Sequence, residues 1–326
     1  MHSRFMNLSK LSPRVRITNT TVGLFTHTDY PLAHSLDHLG DPGLFGPGSS
    51  TWRVIGDVSA MIGGIRALLI QSAHPEVVAG VADHSDYRQD PLGRLSRTTA
   101  YVTATAYGAM PEVEEALTVV RLAHRPVEGV SERGISYSAG NTDHASWVHN
   151  VLVDSFLTAY QVFSRSPIND EAADRFVSEQ TRLGRKLSAT DTPTTRAALS
   201  SWIIEHDAIG PSDAMHDTVS FLSNPPLPTA ALLGYRRLFA AAVATIPGSI
   251  VRILGVSPGP GALPMGRKAA SLLRWSLGAS PSWLLALDRM NTAAPPDVIF
   301  RRPPPIEGGD QVFARWRMRQ TSGQST

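Results

Sequence analysis

Residues 90–108 read DPLGRLSRTTAYVTATAYG, a stretch that carries both a fold signal and a chemical signal. Asp90 followed by Pro91 predicts the start of a helix, because a carboxylate caps the first turn and proline loses no hydrogen bond there. We predict that this helix runs to about Gly108. Polar side chains spaced three or four residues apart share one of its faces: Arg94, Arg97, Thr98 and Tyr101.

Two interpretations of this polar face stay open. It is either a solvated face that forms salt bridges, or the polar wall of a pocket that binds carboxylates or phosphates. The pocket interpretation rests on the guanidinium group, whose fork of donors matches the geometry of both anions.

The rest of the chain shows apolar residues at helical spacing, and the two-residue alternation typical of strands is rare. The first apolar series ends near Pro75 and consists of Trp52, Ile55, Val58, Ile62, Ile65 and Leu69. Further helices are predicted over 111–125, 143–164, 170–187, 193–207, 211–222, 229–246, 248–254, 265–277 and 281–291. We therefore predict an all-α protein with an irregular segment over 1–50, one large helical domain over 51–293, and a Pro/Gly/Ser-rich flexible tail over 294–326.

The composition excludes several kinds of chemistry. The 326 residues include eleven histidines and no cysteine. Disulfides, thiolate nucleophiles, cysteine zinc sites, iron–sulfur clusters and thiolate-ligated haem are therefore excluded. A transition metal could be held only by imidazole, carboxylate, phenolate or backbone oxygen.

Charge and hydropathy point to a soluble protein. Lys and Arg number 30 against 28 Asp and Glu, a net charge of +2, and no dense basic block suggests a nucleic-acid partner. Neither a signal peptide nor an apolar stretch long enough for a transmembrane segment is visible. We expect a cytoplasmic protein.

Two histidines lie on predicted helices. His124 ends a helical face that also carries Arg121, where an imidazole is either a partner of the helix dipole or a ligand. His149 follows Trp147 on an apolar helix, where packing in the core is the alternative to ligation. The Gly63-Gly64 pair in an otherwise apolar helix predicts the close approach of another helix or of a flat ligand.

Several blocks in order resemble the DUF2236 superfamily, which includes the MpaB-type oxygenases and the latex-clearing rubber oxygenases. The blocks within residues 65–98 are IRALLIQSAHP from Ile65, His84-Ser85 with Tyr87, and DPLGRLSRT from Asp90. Later blocks are Val120-Arg121-Leu122-Ala123-His124, Tyr137-Ser138-Ala139 and Trp147-Val148-His149. Pro225-Pro226-Leu227-Pro228 and Leu254-Gly255 fit more weakly, so the resemblance covers about residues 50–255.

The resemblance implies a globin-like helical core with additional C-terminal helices, binding haem b through histidine. Arg94 and Thr98 match the arginine and threonine of the family's distal motif, and Arg121 and His124 match its Arg-x-x-His block. His124 is therefore the first candidate for the proximal iron ligand, and His149 is the second. Arg97 stands where the rubber oxygenases have a lysine able to bind the iron.

This chain departs from the rubber oxygenases at two points. Arginine stays protonated and is a poor iron ligand, so Arg97 does not reproduce the lysine. The distal glutamate that serves those enzymes as a base has no aligned counterpart, Glu76 and Asp83 being the nearest acids. The resemblance therefore does not extend to cleavage of rubber.

Three functions follow from these observations. The first is a haem-dependent oxygenase that uses dioxygen on a small or medium apolar substrate. The second is a non-haem metal enzyme built on an N-terminal cluster of His27, Asp29, His34, Asp37 and His38. The third is a non-catalytic helical binding protein that keeps the fold without its cofactor.

Overall fold

The computed structural model describes residues 12–278 and 280–295. Within them the chain forms fourteen α-helices and one two-stranded sheet, so the prediction of an all-α protein is confirmed. None of these helices combines the length and apolar character needed to cross a lipid bilayer.

The elements follow one another along the chain. The helices are α1 Pro13–Val22, α2 Ser50–Ile55, α3 Ala60–Ser72, α4 Pro75–His84, α5 Pro91–Tyr107, α6 Met110–His124, α7 Thr142–Phe163, α8 Asp170–Lys186, α9 Arg196–Ile204, α10 Asp213–Ser223, α11 Thr229–Val243, α12 Gly248–Leu254, α13 Ala262–Leu277 and α14 Pro281–Arg289. The antiparallel strands β1 Glu128–Val130 and β2 Ser136–Ser138 pair with Gly129 opposite Tyr137.

The core is centred on α7, which packs against α3 on one side and α8 and α9 on others. Gly63 lets α3 approach closely, because a Cβ at this position would lie 2.8 Å from Cδ1 of Phe156. Arg66 of α3 donates to the Asp154 carboxylate of α7 at 2.6 Å, and both side chains are buried. The glycine pair was predicted to mark the close approach of a helix or of a flat ligand. Gly63 lies against helix α7, whereas no atom lies within 4 Å of a Cβ placed at Gly64.

The predicted start of α5 is confirmed. Asp90 accepts a hydrogen bond from the backbone N–H of Gly93 at 2.9 Å, and the helix ends at Tyr107 before Gly108. α5 packs against α6, α2 and α14. Its C-terminal half lies against the middle of α7, where Tyr101 and Val102 share a cavity wall with Leu152 and Val153.

The prediction of one helix over Trp52–Leu69 is wrong, since α2 ends at Ile55 and α3 begins at Ala60. The apolar spacing continues across the break, but tertiary contacts interrupt the helix. A Cβ at Gly56 would lie 2.4 Å from Cε3 of Trp283. The next residue, Asp57, accepts two hydrogen bonds from the Arg274 guanidinium, at 2.8 Å and 2.7 Å.

Three further differences concern missed elements. Pro75 was predicted only to end a helix. It also begins α4, because proline is favoured in the first turn of a helix. Segment 1–50, predicted to be irregular, contains α1, whose Thr18 donates to the Ser276 carbonyl at 2.9 Å. The hairpin β1–β2 was not predicted. The predicted tail over 294–326 lies outside the described residues from position 296 onward.

A buried arginine joins two segments that are far apart in the sequence. Arg289, at the end of α14, is 1% exposed and donates through Nε to the Asp41 carbonyl at 2.8 Å. Its Nη1 donates to Ser35 Oγ at 2.5 Å, and its own carbonyl accepts from the N–H of Gly40 at 3.0 Å. This cluster, the Arg289 clamp, fixes α14 against the segment that precedes α2.

Candidate functional site

A small, mostly apolar cavity of about 20 Å³ lies between α5, α7 and α8, with α2 at one side. We call it the α5–α7 cavity. Its walls are formed by Phe45, Thr51, Ile55, Tyr101, Val102, Thr105, Ala106, Leu152, Val153, Phe156, Gln180 and Leu183. Its volume is room for about one water molecule, so a bound organic molecule would require its walls to move apart.

The polar face of α5 leads from the surface to this cavity. Arg94 lies nearest the start of the helix, half-buried, and donates to Ser85 Oγ. Thr98, one turn further, is exposed, and Tyr101, another turn on, lines the cavity. Burial, and secondarily the charge of Arg97, lowers the pKa of Arg94.

His124 is the last residue of α6 and lies close enough to Arg94 to feel its charge. Its side chain is exposed, yet surrounding protein displaces water from it and lowers its pKa, and Arg94 lowers the pKa further. Since the imidazole has no hydrogen bond to any described residue and favours the neutral form, it has a lone pair free for a ligand.

The other two arginines have partners at the surface. Arg97 donates to the Asp90 carboxylate at 3.0 Å, an exposed ion pair at the start of α5. Arg121 donates to the Lys186 carbonyl at the end of α8, at 3.2 Å. The structure therefore places both guanidinium groups at the outer ends of the helices that carry Arg94 and His124.

His149 is enclosed between α7 and α8, with 6% of its surface exposed. A Cβ at Gly184 would lie 2.9 Å from its Nε2, so only glycine leaves room for the ring. Burial lowers the pKa of His149 to about 4, and a hydrogen bond with the Gln180 backbone partly opposes this. The ring thus faces α8, in contrast to the open surroundings of His124.

Glu76 and Asp83, the nearest acids to the missing distal base in the sequence comparison, both form hydrogen bonds within the protein. Glu76 accepts hydrogen bonds from Arg133 and from Ser131 Oγ, the latter at 2.8 Å, which tie the β-hairpin to α4. Asp83 accepts a hydrogen bond from the Tyr137 hydroxyl. Both carboxylates therefore stabilise the packing of α4 against the hairpin.

Sequence reasoning missed a cluster of aromatic rings made by His74, His144, Trp147, Trp202 and His206. His74 is 3% exposed, and its ring centroid lies 5.2 Å from that of His144 and 5.4 Å from that of His206. Burial first, then the two neighbouring histidines, lowers the pKa of His74 to about 4. No local spacing could have revealed this cluster, because its members come from distant parts of the chain.

The N-terminal histidines do not converge on a metal site. His34 lies 3.5 Å from the Asp37 carboxylate, and both side chains are largely exposed. Nowhere in the described parts of the chain do three His, Asp or Glu side chains form a group that could hold a metal ion.

Comparison with known proteins gives one match. No curated protein and no solved structure matches the chain. Residues 52–275 match the sequence profile of the family described as ER-bound oxygenase mpaB/B'/Rubber oxygenase, catalytic domain. That range is well over half of the 326 residues and includes α2 to most of α13. The chain therefore belongs to this family of oxygenase catalytic domains.

Proposed function

We propose that this protein is a haem b-dependent oxygenase that uses dioxygen to oxidise an apolar organic substrate, and that His124 would hold the haem iron. The observation that carries the proposal is the imidazole of His124. It has no protein hydrogen-bond partner among the described residues, favours the neutral form, and lies near Arg94 of the neighbouring helix α5.

The chemistry of these donors fits haem. Neutral imidazole is a common axial ligand, and no thiolate competes with it in a chain without cysteine. Arg94, Arg97 and Arg121 offer guanidinium groups at the outer ends of α5 and α6, where they could pair with the haem carboxylates. The walls of the α5–α7 cavity are mostly apolar, and they would have to move apart to admit a hydrophobic substrate.

When bound, the haem would supply the activation of dioxygen. The chain would contribute position and exclusion of water. His124 would hold the iron, Arg94 and Thr98 would orient the oxygen by hydrogen bonding, and Leu152 and Phe156 would pack against the substrate. Because Arg97 stays protonated, its role would be electrostatic and not ligation of the iron.

An absorption spectrum tests the proposal. Protein expressed with ample haem is expected to show a Soret band, and His124→Ala is expected to lose or shift it. His149→Ala should keep a normal position of the band, as should His216→Ala, which removes an exposed histidine on α10. An unchanged spectrum in His124→Ala would move the ligand to another histidine. A native protein that takes up no haem would contradict the proposal as a whole.

A cofactor-free binding protein is the second candidate. The lining of the α5–α7 cavity supports it, since apolar side chains that moved apart could bind an organic molecule without iron. Ligand binding without any Soret band would support this alternative.

A further inference from the structure

We infer that the outer face of helix α13 binds the surface of a lipid bilayer that carries anionic headgroups. This face, called the α13 surface, consists of Met265, Lys268, Leu272 and Trp275. The inference goes beyond the oxygenase proposal and does not depend on it, because the residues proposed to hold the haem lie on other helices.

The α13 surface is a single stripe along one side of the helix. Its four residues follow one another at intervals of three and four, so they share one face. The opposite face is packed, since Ala270 is buried and a Cβ at Gly266 would lie 2.5 Å from Cβ of Ala241 on α11. The helix therefore turns its packed face to the protein and the α13 surface to solvent.

Three of the four side chains are large and apolar. Met265, Leu272 and Trp275 are each between 38% and 49% exposed. An exposed apolar patch on a folded protein indicates a protein or membrane partner. Tryptophan is favoured at the boundary between lipid and water, because its ring is apolar while its N–H can still form a hydrogen bond.

The helices around the α13 surface carry cations and no acids. No Asp or Glu occurs between Asp217 and Asp288, although the chain has 28 acids and a net charge of only +2. Helix α1, which contacts α13, likewise has no acid. The cations of 218–287 are Arg236, Arg237, Arg252, Arg267, Lys268 and Arg274.

Most of these cations have no carboxylate partner. Among the described residues, only Arg274 of the six forms an ion pair, with Asp57 at 2.7 Å. Lys268, in the middle of the α13 surface, and Arg267 beside it are both exposed. The surface therefore combines apolar side chains with uncompensated positive charge, as helices that lie in the plane of a bilayer do.

The charge of this face selects among the molecules that could cover it. A second copy of the chain docked through the same face would set like charges against each other. The parts of the chain outside the described residues offer no complement, since 1–11 contain no acid and 296–326 contain more arginines than acids. An anionic bilayer satisfies both requirements, because its headgroups pair with the cations while its acyl region accepts the apolar side chains.

Sedimentation with vesicles tests the partner. The purified full-length protein is mixed with vesicles of phosphatidylcholine, either alone or combined with phosphatidylglycerol. We expect at least about tenfold stronger binding to the anionic vesicles at low salt, and a loss of this preference at high salt. Equal binding to the two kinds of vesicle, or binding to neither, would overturn the inference.

A matched pair of charge variants tests the position of the contact. Lys268→Glu reverses the charge within the α13 surface and should weaken binding to the anionic vesicles by about tenfold or more. Arg185→Glu makes the same change at an exposed position near the end of α8, and it should weaken binding by less than about twofold. Equal losses would show that only net charge matters and would overturn the assignment to α13.

Quenching by brominated phosphatidylglycerol tests whether Trp275 enters the bilayer. Trp275→Phe keeps an apolar ring, so it should retain binding while losing the quenching seen in the native protein. Trp275→Ser should lose the quenching and also bind about tenfold more weakly. Val119→Ser removes an exposed apolar side chain from α6 and should change neither readout. Full quenching in Trp275→Phe would mean that another tryptophan enters the bilayer and would overturn the orientation.

Two further results would give this face to another partner and overturn the inference. One is a stable dimer, seen by sedimentation equilibrium, that Leu272→Ser dissociates. The other is binding to heparin that equals binding to the anionic vesicles and is unchanged in Trp275→Ser, which would show a purely electrostatic surface. A missing Soret band would contradict the haem oxygenase alone, since vesicle binding is measured without reference to haem.

Discussion

Helix α7 has two faces that are built in opposite ways. The face toward α3 is closed, with Gly63 against Phe156 and a buried ion pair between Arg66 and Asp154. The face toward α5 keeps a small cavity of about 20 Å³ beside Leu152. One helix thus combines a tightly packed face with a face that leaves a gap, and Phe156 lies at the boundary between the two.

The largest loss of stability is expected when the ion pair on the closed face is broken. Asp154→Ala would leave the Arg66 guanidinium buried without its carboxylate, and we expect unfolding free energy to fall by about 3–5 kcal/mol. Urea denaturation measures the change. Glu171→Ala is the control, since it breaks an exposed pair with Arg175 and should cost about 0.5 kcal/mol or less. Similar losses in both variants would contradict the importance of the closed face.

The neighbouring glycines give a matched pair on the same helix. Gly63→Ala forces a methyl group against Phe156 and the Ser155 carbonyl, and we expect a loss of about 1–3 kcal/mol. Gly64→Ala meets no atom within 4 Å and should stabilise α3 by about 0.5–1 kcal/mol, through helix propensity. Equal changes at the two positions, measured by thermal or urea unfolding, would show that α3 does not approach α7 as described.

A third face of α7, toward α8, is expected to make stability depend on pH. The pKa of His149 is about 4 in the folded protein against an ordinary 6.5, so between these values the unfolded chain binds the additional proton. Stability should therefore fall as pH decreases from about 6.5 and level off for this group below about 4. His74 contributes in the same direction.

The contribution of His149 can be isolated by substitution. In His149→Asn the slope of unfolding free energy against pH should decrease by roughly 1 kcal/mol per pH unit within that window. His216→Asn, at an exposed position of α10, should leave the slope unchanged. An unaltered slope in His149→Asn would mean that its ring is not buried in the neutral form.

The smallest effect is expected on the open face. Leu152→Phe adds volume toward the cavity and should change unfolding free energy by less than about 1 kcal/mol. Val151→Phe, one residue earlier, adds the same kind of ring in the packed core, where overpacking costs about 1–3 kcal/mol. If the two variants lose equal stability, the cavity beside Leu152 is not open.

The sequence predicted the elements that local signals determine. Asp90-Pro91 gave the start of α5, and the spacing along its polar face placed Arg94 and Tyr101 on one side. The break between α2 and α3 at Gly56 could not be predicted from local sequence, because it depends on contact with Trp283, which is far away in the sequence. Pro75 was ambiguous in principle, since proline both follows one helix and begins the next.

The candidate site was predictable only as separate residues. Arg94 and His124 could be named from spacing and resemblance, but the α5–α7 cavity needs three helices that are far apart in sequence.

The Arg289 clamp has a consequence for how the molecule opens. It joins residues 35–41 to the end of α14, and both lie outside the family match over 52–275. The two flanks therefore form one cooperative unit that should gain and lose hydrogen-exchange protection together. Since Trp283 of α14 packs with Trp52 and Tyr107, release of this unit would expose one end of α5. Local opening of residues 35–41 and α14 would then loosen the helix that carries Arg94 and Tyr101.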